Sequence, residues 1–210
     1  MIVYLAVVTG LLVPVLLLAE HAGHPGRGAV KAAASTGFLG IAVASGAFDT
    51  GYGRWVFAAL CLSWVGDVAL VSAARRWFLV GLAAFLLGHL AYVGGFAAAG
   101  VSWTGAAIAA AALCLPAALV ASWLWPHLPP GMRGPVAAYI AVISVMVAGA
   151  VGGALDGVPW AALPAALAFY VSDVFVARDR FVAPGFVNRL AGLPLYYGAQ
   201  IVFALSVGGV

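Results

Sequence analysis

Residues 54–99 read RWVFAALCLSWVGDVALVSAARRWFLVGLAAFLLGHLAYVGGFAAA, and this stretch decides the fold. Two apolar runs, 54–73 and 78–99, meet at Arg75-Arg76, and each has the ~20 residues that a helix needs to cross a hydrocarbon core. Cutting the rest of the chain where charge, Pro and Gly cluster gives six more runs: 2–19, 30–48, 103–124, 135–153, 158–177 and 190–208. The pattern predicts an all-α, polytopic membrane bundle of about eight transmembrane helices, joined by short loops into one helical domain over residues 1–210.

Composition excludes the other broad classes. Of 210 residues, 66% are hydrophobic and 7% charged, against roughly 45–50% and about 25% in soluble domains. Polar low-complexity tracts that would signal disorder are missing. The net charge of +3 does not indicate nucleic acid, because the basic residues sit in short clusters between apolar runs. Cys61 and Cys114 both fall inside apolar runs, so no disulfide framework is expected. No basic residue precedes the first run and no small-residue cleavage site follows it, so it reads as a retained helix, not a signal peptide.

An even number of spans puts the N and C termini on one side. Alternate loops then separate Arg27, Lys31, Arg75, Arg76, Arg133, Arg178, Arg180 and Arg189 from Arg54 alone. The positive-inside rule assigns the first set to the cytoplasm and both termini to the outside. An Ala/Gly/Val-rich, Lys-poor composition suggests a bacterial cell membrane as the location. Pro14, Pro116 and Pro164 fall within runs, where each is expected to kink its helix, while Pro135 and Pro194 are expected near helix starts. Asp67-Val68 with the following Arg75-Arg76 is echoed by Asp173-Val174 with Arg178 and Arg180, a faint repeat between runs three and seven.

Two carboxylates stand inside apolar runs, Asp67 in Gly66-Asp67-Val68 and Asp173 in Ser172-Asp173-Val174. An ionised group in hydrocarbon costs at least ~2.5–3.5 kcal/mol, so such residues face a cavity and mark candidate sites. At ~1.5 Å per residue, counted back from Arg75 and Arg178, both lie roughly 7–12 Å above the cytoplasmic boundary. Lys31, Tyr139 and Tyr196 reach the same half of the membrane, with His89 and Gln200 nearer the midplane. Phe85, His89, Tyr92 and Phe96 form one helix stripe, and Tyr196 with Gln200 is an i, i+4 pair. Lys31 would either snorkel to the interface or point its ammonium at headgroup level, where a phosphate would sit. His21 and His24 read as solvent-facing loop residues, and no spacing suggests a metal site.

These residues together resemble the lysoplasmalogenases, or YhhN-like membrane proteins. The resemblance runs from Lys31 to Gln200. It is carried by Gly66-Asp67-Val68; by Phe78, Gly81, Leu82, Phe85, His89, Tyr92 and Phe96; by Tyr139 and Met146; by Ser172-Asp173, Ala177 and Phe181; and by Tyr196-Tyr197 with Gln200. Family members usually place proline after the lysine of the second helix, where this chain has Ala32.

The resemblance implies an enzyme that hydrolyses the vinyl ether bond of lysoplasmalogens to a fatty aldehyde and a glycerophospho-choline or glycerophospho-ethanolamine, without a cofactor. Its implied partners are a lysophospholipid substrate and membrane lipids, not nucleic acid. Vinyl ether cleavage begins with protonation of the double-bond carbon remote from oxygen, and water traps the oxocarbenium ion. That chemistry suits a pair of acids, one protonated and one charged, in the roles of Asp67 and Asp173 in either order. Tyr139, Tyr196, His89 and Gln200 would orient water or the ether oxygen, Tyr92 and Ser172 would complete the polar lining, and Lys31 would hold the phosphate.

Two other classes use helix-borne aspartates. An intramembrane aspartyl protease would need Gly-x-Gly-Asp, where this chain has Trp64-Val65-Gly66-Asp67. A small proton-coupled transporter or lipid-binding protein would use the carboxylates as a relay, and would depend on a gradient that a hydrolase does not need.

Overall fold

A computed structural model describes residues 1–209. A backbone in hydrocarbon must satisfy its own hydrogen bonds, and helices do so within one segment. Eight α-helices result: α1 Ile2–His21, α2 Arg27–Ala44, α3 Gly51–Ala69, α4 Arg75–Ala99, α5 Trp103–Leu124, α6 Pro130–Ala154, α7 Ala162–Ala177 and α8 Phe186–Ser206. The described residues contain no strand. Five of the helices, α1, α4, α5, α6 and α8, are long and apolar enough to cross a membrane by length and composition alone. The other three are those that carry the candidate charges. Arg27 and Lys31 lie on α2, Arg54 and Asp67 on α3, and Asp173 on α7, which runs only 16 residues before its winding widens into a π-type turn over Arg178–Val182.

Several boundaries differ from the sequence reading for identifiable reasons. Run seven starts at Ala162, not near 158, because Pro159 has no N–H and disfavours helix in the residue before it. Pro164 therefore falls in the first turn, where the missing donor has no consequence. Conversely, α6 starts at Pro130 and α8 at Phe186, so Pro135 and Pro194 lie inside their helices and not at the starts. Thr50 caps α3 by accepting from the Gly53 N–H at 2.9 Å.

The tightest helix pair is α3 with α4. Gly81, Gly88 and Gly95 recur every seven residues on α4 and face α3. A Cβ on Gly88 would stand 3.3 Å from the Ala59 carbonyl oxygen, and one on Gly81 would meet Leu70 at 2.8 Å. Small residues at such a seam let backbones approach closely, which is how helices associate where hydrocarbon gives no hydrophobic drive. At the other extreme, α5 buries only Leu124 and turns an apolar surface outward.

Short loops make successive helices antiparallel, so one end of the bundle gathers the ends of α1, α3, α5 and α7 and the starts of α2, α4, α6 and α8. All eight contribute to a single cavity there, through residues such as Glu20, Lys31, Asp67, Phe78, Leu124 and Tyr139. The chain is thus a multi-pass membrane protein with most of its charged residues collected at one end.

Candidate active site

The cavity has a volume of about 470 Å³, within the ~300–1,000 Å³ range of small-molecule sites. Its lining is polar at Glu20, Lys31, Asp67 and Asp173 on α1, α2, α3 and α7, and apolar along Leu82, Val120, Leu124, Val136, Ile140 and Ile143 on α4, α5 and α6.

Asp67 sits near the C-terminus of α3, almost fully buried. Its Oδ1 lies 3.2 Å from the Lys31 ammonium. Its Oδ2 accepts hydrogen bonds from Ser35 Oγ, at 2.7 Å, and from the Tyr196 hydroxyl. Lys31 and Ser35 are one turn apart on α2 and so share a face. Tyr197, next to Tyr196 on α8, lies 3.1 Å from Ser35 and donates to the Lys31 carbonyl oxygen at 3.3 Å. Lys31 therefore directs its ammonium inward to a carboxylate, and not outward to the interface. Gly66 is what lets the Phe85 ring pack beside this cluster, since a Cβ there would come within 2.5 Å of the ring.

Asp173 on α7 has different surroundings. Its Oδ2 accepts from the Tyr139 hydroxyl at 2.6 Å and lies 3.6 Å from His89 Nε2. No Lys or Arg pairs with it among the described residues. His89 is fully enclosed between Tyr139 and Phe169, with ring centroids at 5.3 and 4.6 Å. Its Nδ1 is 2.6 Å from the Phe85 carbonyl oxygen, an acceptor only, so Nδ1 carries a proton and donates. Nε2 has no hydrogen-bond partner and faces Asp173. A contact between Nε2 and a carboxylate oxygen is favourable when one proton lies between them, on either group.

The two carboxylates face one cavity without bonding to each other. Between their clusters, Phe85, Phe169 and Tyr196 interlock edge to face at 5.3–6.1 Å.

The remaining sequence candidates divide. Ser172 lines the cavity, but its hydroxyl donates to the Gly192 carbonyl oxygen at 3.0 Å and ties α7 to α8. Tyr92 and Gln200 bond to each other at 2.6 Å behind the cavity wall and do not line it. Tyr92 also stacks on Phe203 at 4.1 Å. His21 and His24 are exposed.

Residues that sequence reasoning missed surround the mouth. Arg189 reaches Glu20 at 3.1 Å and Asp179 at 3.6 Å. Asn188 accepts from Arg178 and donates to Asp179, Ala183 and Gly185, which fixes the chain between α7 and α8. The i, i+4 spacing of Lys31 and Ser35 was a readable sign for one of the missed residues. Nothing in the sequence signals that Glu20 and Arg189 meet.

The profile of the YhhN family matches residues 26–207. Among curated proteins, a lysoplasmalogenase of Mycobacterium tuberculosis is 32% identical over 161 residues, 74% of this chain and 60% of that protein. Lysoplasmalogenase TMEM86B of Homo sapiens is 34% identical over 171 residues, 81% of this chain and 69% of its own length. Lysoplasmalogenase TMEM86A of Bos taurus is 31% identical over 157 residues, with shares of 72% and 64%. The match spans only about 60% of the length of the mycobacterial relatives. No solved structure matches this chain.

Proposed function

This chain belongs to the YhhN family, and we propose that it is a membrane hydrolase that cleaves the vinyl ether bond of lysoplasmalogens, acting as one helical domain with its cavity open to the cytoplasmic face. The names of its relatives support the reaction class. The unequal surroundings of two carboxylates in one cavity carry the mechanism.

Asp67, beside the Lys31 ammonium and two hydroxyl donors, is the carboxylate kept charged. Asp173 faces a ring nitrogen whose lone pair calls for a shared proton, and is the acid. In this reading the lysolipid lies with its headgroup at the mouth and its alkenyl chain along the apolar wall. Asp173 gives its proton to the vinyl carbon remote from oxygen, and positive charge develops on the carbon bonded to the ether oxygen. Asp67 faces that cation and takes a proton from the water that attacks it, giving a hemiacetal. Collapse of the hemiacetal expels the glycerol oxygen, which is protonated, and leaves the aldehyde; the net change is addition of one water. Asp67 passes the proton it took to the departing glycerol oxygen and the hemiacetal hydroxyl returns one to Asp173, while Tyr139 and His89 hold Asp173 in place.

Matched alkenyl and acyl lysolipids incubated with the purified protein in detergent test the reading. Fatty aldehyde should form from the first and no fatty acid from the second, without any ion gradient. Fatty acid release, or turnover that requires a gradient, would contradict it.

A further inference from the structure

The mouth of the cavity presents both signs of charge, and most of its charged groups are already engaged. Lys31 is held by Asp67. Arg180 donates to the Ala73 carbonyl oxygen and covers the Phe78 ring at 4.4 Å. Arg189 is shared between Glu20 and Asp179. Arg27 alone among the four basic side chains lining the cavity has no hydrogen-bond or ion-pair partner for its guanidinium among the described residues.

The carboxylates sort in the same way. Asp179 spends Oδ1 on the Gly185 N–H and on Asn188, at 2.8 and 3.0 Å, and Oδ2 on Arg189. Asp67 and Asp173 lie deeper with their own partners. Glu20 pairs through Oε2 only, 3.1 Å from Arg189, and its other oxygen is uncommitted.

We propose that Arg27 and Glu20 form a zwitterion clamp, the guanidinium taking the phosphate of the lysolipid headgroup and the free carboxylate oxygen its ammonium. The proposal rests on the reading of the cavity as a lysolipid site and adds the residues that select the headgroup. A mouth offering one free cation and one free carboxylate oxygen favours a ligand with both signs over a net anion, because an anionic headgroup would face that free Glu20 oxygen with no cation to set against it. Glu20 also lies before the segment matched by the family, so this half of the clamp is a feature of α1 and not of the shared core. Arg189 competes with the ammonium for Glu20.

That competition gives the test its sign. KM and kcat are measured for alkenyl lysolipids with ethanolamine, choline and glycerol headgroups. Glu20→Gln should raise KM about tenfold for the two amine-bearing substrates and leave it unchanged for the glycerol one, as loss of one charge-assisted contact predicts. Arg27→Gln should raise KM for all three, kcat being little altered because the contact is remote from the breaking bond. Arg189→Gln breaks the same ion pair as Glu20→Gln but frees the carboxylate, so KM for amine-bearing substrates should fall or stay level. An equal effect of Glu20→Gln on all headgroups, or an Arg189→Gln that copies it, would overturn the clamp and leave a merely structural ion pair. If the wild type forms no aldehyde, the hydrolase reading fails, and the clamp is judged by binding. Lysophosphatidylethanolamine should then raise the melting temperature more than lysophosphatidylglycerol, and Glu20→Gln should erase the difference; equal shifts in the wild type would overturn it.

Discussion

At the scale of single residues, the Lys31–Asp67 pair carries most of the argument. The sequence locates both groups in the same half of the membrane, but whether the ammonium points outward or inward depends on the rotation of α2 about its axis, which spacing alone does not set. With the ammonium 3.2 Å from Asp67, the proposed mechanism has Lys31 act through that carboxylate. Lys31→Met should therefore lower kcat, whereas a phosphate contact would raise KM. Lys31→Met and Asp67→Asn should each cost stability too, since either leaves a buried charge without its counter-ion, a loss of roughly 3–5 kcal/mol. The double variant should melt above either single one in detergent. Melting temperatures that simply add would show the two groups to be uncoupled.

At the scale of helices, the aromatic stripe of α4 shows what periodicity resolves. Phe85, His89, Tyr92 and Phe96 are all buried, as their common face requires. Their roles separate along the helix axis. Tyr92 lies ~10 Å beyond Phe85 at 1.5 Å per residue, past the floor of the cavity, where it meets Gln200. Depth along an axis is readable from sequence only where a charged residue fixes the boundary. Arg75 does so for Asp67 and Arg189 for Gln200, whereas whether Gln200 reaches the cavity depends on how α8 packs against its neighbours, which the apolar run does not reveal. The glycine row is legible as a repeat of seven but acquires meaning only with its partner: Gly88 faces the Ala59 carbonyl at 3.3 Å for an added Cβ. Gly88→Leu should force α3 and α4 apart and lower the melting temperature by several degrees, with Gly88→Ala much milder. A Leu variant as stable as wild type would show that the seam is not tightly packed.

For the whole molecule, the uneven distribution of basic residues and the position of the cavity coincide. Eight of the nine Lys and Arg residues belong to loops and helix ends on the side where the cavity opens, and Arg54 to the other. The expected orientation rests on charge bias, a property of loops that a sequence displays directly, whereas the shape of the cavity depends on how all eight helices pack. A reporter inserted beside Arg75 should give a cytoplasmic signal, and one joined after α8 an exterior signal; Val210 itself lies outside the described residues. The reverse pattern would turn the cavity to the other face. The central claim, that two carboxylates in this cavity cleave a vinyl ether, is met most directly by hydrolysis in deuterated water with aldehyde analysed by mass. The wild type should release fatty aldehyde bearing one deuterium on the carbon next to the carbonyl, and Asp67→Asn and Asp173→Asn should each lose about 100-fold or more of that release, as removal of a general acid or base predicts. Aldehyde without deuterium, or either variant retaining more than about a tenth of wild-type turnover, would contradict it.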